Sequence, residues 1–369
     1  MTTSRIDDLH VIVPAGGAGT RLWPLSRAGS PKFLHDLTGS GRSLLQATVD
    51  RLAPLSAGVV VVTGERHADA VRAQLPGLAA DDVLAEPSPR DSMAAIGLAA
   101  AVLAQRHGDP VVGSFAADQV VDAGPGFAEA VRQGVVAARS GHLVTVGIAA
   151  TGPSTAFGYV RSGELLGLPD APDARRAAGF TEKPDAHTAA EYLATGEYRW
   201  NAGIFLVRAE VLLGHLERLL PQLHGGLREI AAAWDTPRRA EVLDRVWPGL
   251  QRIAIDHAVA EPVAAEGGVA VVPGDFAWDD VGDFASLAGL LPAGADDVRV
   301  LGARDDVLVV DAQRPLVAAS SGRLVAVLGV ADLVVVDTPD ALLVTTRAHA
   351  QGVKAVVDAV RAVGRDDLL

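Results

Sequence analysis

The sequence predicts an α/β protein, a doubly wound and mostly parallel sheet, with a small all-β module toward its C-terminal end. Three observations carry that expectation. Short β-branched runs alternate with Ala/Leu-rich stretches of helical pattern through the first part of the chain. Those runs are continuously apolar rather than alternating, which requires a sheet covered on both faces. From about residue 295 the texture changes to short strands separated by Asp and Gly turns, roughly every eight to twelve residues.

Taken in order, the expected strands are HVIVPA (10–15), GVVVVTG (58–64), DVLAEP (82–87), PVVGSF (110–115) and HLVTVGIA (142–149). The run AAIGLAAAVLA (94–104) is apolar all round. It is far shorter than the ~20 residues a bilayer demands, so it reads as a helix buried against the sheet. After about residue 150 the pattern loosens into GYVRSG, FTEKPD and WNAGIFLV, separated by helical stretches at 186–195 and 209–220. These read as an insertion, about 150–265, that completes one pocket. The tract LPDAPDARRAAG (168–179) reads as a surface loop, and HAQGVKAVVDAVRAV (349–363) as a closing amphipathic helix used for packing or subunit contact. The expected division is a catalytic-size domain over 1–292 and a module over 293–369.

Composition bounds the function. The chain has 369 residues, 49% hydrophobic and 21% charged, which excludes disordered and fibrous classes. It has no Cys, so disulfide frameworks, iron–sulfur clusters and thiol nucleophiles are absent. The mean hydropathy of +0.25 comes from dispersed Ala and Val. The N-terminal MTTSRIDDLH is polar and acidic, without the basic and apolar regions of a signal peptide. Expected from this are a cytoplasmic location and no membrane partner. The net charge of −13 argues against a nucleic-acid partner while leaving room for a locally basic pocket.

The most informative segment is VIVPAGGAGTRLWPLSRAGSPKFL (11–34), a buried strand that turns Gly-rich. Ala15, Gly16, Gly17, Gly19 and Thr20 offer backbone N–H groups to an anion, and Arg21 and Lys32 add fixed positive charge. An ordinary P-loop is excluded, because Gly19-Thr20-Arg21 stands where Gly-Lys-Ser/Thr is needed. The dinucleotide fingerprint fails as well, with Leu22 in the place of its third glycine and Thr63-Gly64 closing the next strand. Three glycines after a strand are more often a plain turn. The added Arg, Trp-Pro and Pro-Lys change that weighting.

AGGAGTRLWPLSR followed by Pro31-Lys32 resembles the signature of the sugar-nucleotide pyrophosphorylases, in particular their mannose-1-phosphate guanylyltransferase branch. The resemblance runs from about residue 9 to the end, with further motifs in the expected order. It implies a Rossmann-like nucleotidyltransferase sheet and a left-handed β-helix-like tail. EPSPRDSMAAIGLAA (86–100) resembles the base-reading segment, with Glu86 accepting from the two donors of guanine. Arg90 and Asp91 line the same pocket or else mark a helix start capped by Asp91 or Ser92. SFAADQVV (114–121) places Asp118, and FAWDDVGDF (276–284) places Asp280, as ligands of a Mg²⁺ ion, with Asp279 the alternative one register away. Taken singly, those carboxylates would be turn or cap residues. Phe115-Ala116-Ala117 departs from the common Leu-Pro-Ala, which touches local loop geometry.

The sugar side is implied in the same way. Gly158 of Phe157-Gly158-Tyr159 gives close backbone approach, Glu182 and Lys183 of FTEKPD hold sugar hydroxyls and the sugar 1-phosphate, and Asn201 and Gly203 of WNAGIF complete the set. The implied catalytic group is Arg21, Lys32, Lys183, Asp118 and Asp280. The implied reaction joins GTP and mannose 1-phosphate into GDP-mannose and pyrophosphate. Alternatives are another sugar 1-phosphate or base, such as glucose 1-phosphate with UTP or dTTP, and a catalytically silent nucleotide-sugar sensor. The histidines stand singly without metal-ligand spacing, and no G-x-S-x-G elbow exists. One His, His349, follows Asp283, so no appended isomerase activity is expected. The β tail makes a homodimer plausible through the resemblance alone.

Overall fold

A computed structural model of the chain describes residues 4–17, 19–294 and 297–369. The first three residues of the polar N-terminal stretch and Ala18 of the glycine loop lie outside these. The chain forms two compact units. The first comprises Met1–Ala15, Thr48–Ala117 and Val121–Trp278, and the second Gly16–Ala47, Asp118–Val120 and Asp279–Leu369.

Ten strands belong to the chain up to residue 274: β1 (Ile6–Ala15), β2 (Ser56–Gly64), β3 (Val83–Glu86), β4 (Val111–Ser114), the two-residue β5 (Val120–Val121), β6 (Leu143–Ala149), β7 (Tyr159–Leu165), β8 (Arg175–Thr181), β9 (Tyr198–Arg208) and β10 (Val269–Gly274). All but β5 form one nine-stranded sheet in the first unit, in the order β3-β2-β1-β4-β9-β6-β10-β8-β7. The five strands expected from the Val-rich runs are all present, and β1 to β4 pair in parallel. Strand β9 then enters antiparallel to both β4 and β6, and β8 runs antiparallel to β10 and β7. The sheet is therefore mixed, with β8 and β9 opposing the rest. The β7–β8 hairpin accounts for one reversal, since its nine-residue connection is too short for a parallel crossover. The tract 168–179 is not wholly a loop, since its second half opens β8.

Both faces of the sheet are covered. The helices of this part are α1 (Leu44–Leu52), α2 (Glu65–Gln74), α3 (Asp91–His107), α4 (Pro125–Arg139), α5 (Ala186–Thr195), α6 (Ala209–Leu219), α7 (Pro221–Trp234), α8 (Arg239–Val246) and α9 (Glu261–Ala265). Every residue of α3 from Met93 to Ala104 is buried. Its small alanines let it lie between α6 and α7 and the face of the sheet that carries Ile12, Val60, Val62, Phe205 and Val207. The opposite residues of the same strands, Val11, Val13, Val61 and Leu206, are equally buried. Helix α4 packs on β6, β9 and β10 without joining the first cluster, and so covers that second face.

After the short β11 (Trp278–Asp279) come α10 (Phe284–Leu290) and the strands β12 (Arg299–Gly302), β13 (Val307–Val310), β14 (Leu316–Ala319), β15 (Val325–Leu328), β16 (Leu333–Asp337) and β17 (Leu342–Thr346), then α11 (Val353–Ala362). Arg299, Leu316 and Val334 stand in parallel register. Val307 faces Val325, and Gln313 bridges Ala331 in the same sense. The chain therefore coils with a period close to 18 residues, laying three successive faces upon themselves as a β-helix, and β17 closes it antiparallel to β16. On β14, Val317 and Ala319 point into the coil. Leu316 and Ala318 point outward onto Leu22, Trp23, Leu37, Phe284, Val353 and Val357. One sheet thus serves two cores of the second unit. Among the described residues no helix is long and apolar enough to cross a membrane.

Candidate functional site

The residues expected at the phosphates belong to the second unit, apart from Ala15, which ends β1 with its carbonyl accepting from the Thr63 hydroxyl at 2.7 Å. Gly16, Gly17 and Thr20 are exposed. Gly19 has φ +62°, and a Cβ there would lie 2.7 Å from Lys32 Cβ and 2.9 Å from Ser26 Oγ. Only glycine fits, and the close approach brings the loop down onto Lys32. Lys32 is 6% exposed, with its Nζ donating to the Asp280 carbonyl at 2.6 Å and meeting Asp118 Oδ2 at 2.9 Å.

The two aspartates of Trp-Asp-Asp differ in occupation. Asp279 Oδ1 accepts from Val281 N–H at 2.7 Å and from the Ser286 hydroxyl, so its work is local. The Asp280 carboxyl is held above its ordinary range, first by burial, against the pull of Lys32 and with a push from Asp279. Arg21 stands half-exposed, with Nη1 donating to Gln351 Oε1 at 3.0 Å. Asp118 and Asp280 offer two hard oxygen donors beside one lysine. No group of three or more His, Asp or Glu forms a ready-made metal cage among the described residues. Two carboxylates completed by phosphate oxygens and water is the donor set Mg²⁺ accepts, so these residues fit that ion.

The residues expected at the base and at the sugar belong to the first unit. Glu86 ends β3, 7% exposed, and its Oε1 has no hydrogen-bond partner among the described residues. Burial pushes its carboxyl up to about 7. The segment behind it is braced from residues 247–255: Trp247 Nε1 donates to the Ser88 carbonyl at 2.8 Å and Arg90 Nη2 to the Pro248 carbonyl at 2.6 Å. Helix α3 has no side-chain cap. Among the described residues Asp91, at φ +65°, accepts only from Ser92 N–H next door, and Ser92 Oγ accepts from Ile255 N–H at 2.9 Å.

On the sugar side, Asn201 Oδ1 accepts from the Thr145 hydroxyl at 2.6 Å and from Gly203 N–H at 3.1 Å, while its Nδ2 donates to Asp256 Oδ1 at 3.0 Å. Glu182 Oε2 fills the space a side chain at Gly158 would need. Lys183 Nζ meets Glu182 Oε1 at 2.5 Å. Burial works against the Lys183 ammonium, but Glu182, Asp256 and Asp91 together hold it above its usual value.

Three participants here were not singled out from the sequence. Asp256 opens a π-helical turn (Asp256–Ala260), and burial, aided by Glu182, pushes its carboxyl up to about 6. Glu261 accepts from Glu182 N–H at 3.0 Å, and Thr145 locks Asn201. The one signal that could have flagged Asp256 is an acid inside the apolar run AIDHAVA. The histidines also pair in space, His10 stacking on His107 at 4.1 Å, and burial together with the His107 charge pushes His10 down to about 4.

A mixed α/β sheet with a glycine loop leaving its first strand, a buried lysine between two aspartates and a β-coil tail defines a nucleotide-handling transferase. The chain belongs to the nucleotidyl transferase family, whose model, described as Nucleotidyl transferase, matches residues 10–293; a MannoseP isomerase/GMP-like beta-helix domain matches residues 305–360. Its relatives are specific. The mannose-1-phosphate guanylyltransferase of Escherichia coli K12 is 37% identical over 97% of this chain and 75% of its own length. The xanthan biosynthesis protein XanB of Xanthomonas campestris pv. campestris is 36% identical over 98% of this chain and 75% of its own. A solved Thermus thermophilus protein described as a mannose-1-phosphate geranyltransferase superposes with TM-score 0.83 at 33% identity, covering 96% of this chain and 99% of that one. The chain is therefore an enzyme of nucleotidyl transfer.

Proposed function

We propose that this enzyme transfers the GMP moiety of GTP to mannose 1-phosphate, giving GDP-mannose and pyrophosphate. The observation that carries the reading is the buried, unpartnered oxygen of Glu86 at the end of β3. A carboxylate there accepts from the N1–H and exocyclic amine of guanine, whereas uracil and thymine offer one donor and an amide would serve them better. The names of the full-length relatives support the same substrates.

In the proposed reaction an oxygen of the sugar phosphate attacks the α-phosphorus, a new P–O bond forms, and the bond to the β-phosphate breaks to release pyrophosphate. The attacking oxygen is already anionic near neutrality, so no general base is needed. The chain's task is to bring anions together and neutralise them. Lys183, its charge secured by Glu182 and Asp256, would hold the sugar phosphate. Arg21, Lys32 and the backbone of Ala15, Gly16, Gly17, Gly19 and Thr20 would hold the triphosphate. Glu182, Asn201, Gly158 and Gly203 would read the sugar, with Arg90 and Asp91 flanking the base segment. Asp118 and Asp280 would hold Mg²⁺, which supplies charge neutralisation on phosphate oxygens when bound.

The deciding experiment is pyrophosphate release by the purified chain with Mg²⁺, crossing GTP, ATP, UTP and dTTP against mannose 1-phosphate and glucose 1-phosphate. Release concentrated on GTP with mannose 1-phosphate is expected. Preference for another pair overturns the specificity and keeps the chemistry, and release with no pair overturns the reading.

A further inference from the structure

One side chain from far along the chain touches the phosphate loop, and the reaction as proposed leaves it without a task. Among the described residues Arg21 bonds only to Oε1 of Gln351, 330 positions later. Gln351 lies in the 3₁₀ stretch Arg347–Gly352 that precedes α11. Its Nε2 donates in turn to Oδ2 of Asp283. The other oxygen of Asp283 accepts from Ala285 N–H at 2.7 Å and Ser286 N–H at 3.0 Å, as the cap of α10.

This chain of bonds fixes a direction. Asp283 is 6% exposed and held by two backbone donors, so it cannot turn away. A carboxylate only accepts, which forces the amide nitrogen of Gln351 toward Asp283 and its oxygen toward Arg21. The guanidinium is thereby clamped through one nitrogen, and among the described residues its other donors carry no bond. Because the amide is neutral, it orients the cation without cancelling it; a carboxylate at the same place would form a salt bridge and spend the charge internally. Orientation without neutralisation is what an anion-binding arginine needs, since its rotamer freedom is lost before the ligand arrives.

We infer that Gln351 is a positioning residue for phosphoryl transfer: anchored by the helix-capping Asp283, it aims Arg21 at the phosphates of the bound nucleotide. The inference rests on the reading of Arg21 as a triphosphate ligand.

A double-mutant cycle tests it. Pyrophosphate release is measured for the full-length protein, Gln351→Ala, Arg21→Ala and the double variant, and each is titrated with GTP by calorimetry. Gln351→Ala is expected to lower kcat/KM for GTP roughly tenfold, leave the KM for mannose 1-phosphate and the Tm in place, and add nothing in the Arg21→Ala background. Gln351→Glu, of the same shape but charged, should be at least as impaired. Losses that multiply in the double variant, or a Gln351→Ala enzyme at wild-type rate, overturn the inference. An unaffected Arg21→Ala enzyme overturns it too, because Gln351 would have nothing to aim. A wild-type protein that turns over no pair fails the functional reading instead, and the GTP titrations still measure the coupling between the two positions.

Discussion

At Glu86 the carboxyl of the free protein is half-protonated near neutrality, since burial pushes it up to about 7. A guanine edge that donates two hydrogen bonds favours the ionised form and pulls that value down on binding. GTP binding near pH 6 should therefore release close to one proton, read by calorimetry in buffers of different ionisation enthalpy. Glu86→Gln should abolish the release and erode the preference for GTP over other triphosphates by about tenfold or more. At Asp280 the carboxyl is likewise held high by burial, so the fold gains nothing from its charge. Asp280→Asn should keep or slightly raise Tm while turnover falls by about two or more orders of magnitude, and Arg21→Ala should lose turnover on the same scale without unfolding. Parallel thermal melts and pyrophosphate assays check both. Residues that stand in contiguous motifs, such as Glu182, Lys183 and Asn201, can be singled out as candidates in the sequence because their neighbours carry the pattern. Asp256 and Gln351 were not. Their partners stand 55 and 330 positions away, and nothing local in the chain declares such a bond.

Among the elements, the signature Trp-Pro is the instructive case. Trp23 belongs to a buried cluster with Leu316, Phe284, Val353 and Val357, and its Nε1 donates to the Leu368 carbonyl at 2.7 Å. The motif that resembles a substrate loop is thus also the joint between that loop, the β-coil and α11 within one unit. Trp23→Ala should cost about 3–5 kcal/mol of stability through the cavity it opens, and Trp23→Phe about 1 kcal/mol through the lost hydrogen bond, both measurable by denaturant titration. Strands β1 to β4 and β6 were readable because unbroken Val runs have one meaning in a covered sheet. The direction of β9 was not, since an apolar run carries no arrow. Strand β8 was masked by the Pro, Asp and Arg residues that precede and open it, a surface composition on a strand where Ala177 is buried between exposed Arg176 and Ala178. In the coil, the turns every eight to twelve residues gave the β character, but the period near 18 appears only when register partners are known.

For the whole molecule, pH dependence follows from groups whose burial opposes charge. Glu86 and Asp256 both have values raised above those of the unfolded chain. Their contribution is fully present below about pH 4 and is lost as pH rises through about 6 and 7. Lifting Glu86 from 4.5 to about 7 corresponds to roughly 3 kcal/mol at alkaline pH. His10, pushed down to about 4, acts oppositely and destabilises as pH falls from about 6.5 toward that value. Glu86→Gln should accordingly raise Tm at pH 8 more than at pH 5, a differential that scanning calorimetry resolves; equal shifts at the two pH values would refute the buried-charge account.

The second unit gathers Gly16–Ala47 with Asp279–Leu369, so an early segment and a late one share a core. A ribosome adds residues in one direction. By the time α4 emerges, the glycine loop has been in solution for about a hundred residues with neither Gln351 for Arg21 nor the Leu368 carbonyl for Trp23. The parallel strands β1 to β4 can assemble on the nascent chain, but the loop that leaves β1 finds these partners only once the β-coil and α11 have been made. A chain ending ahead of Gln351 would lack both of these partners for the loop. The late segment therefore supplies the contacts that fix the early one.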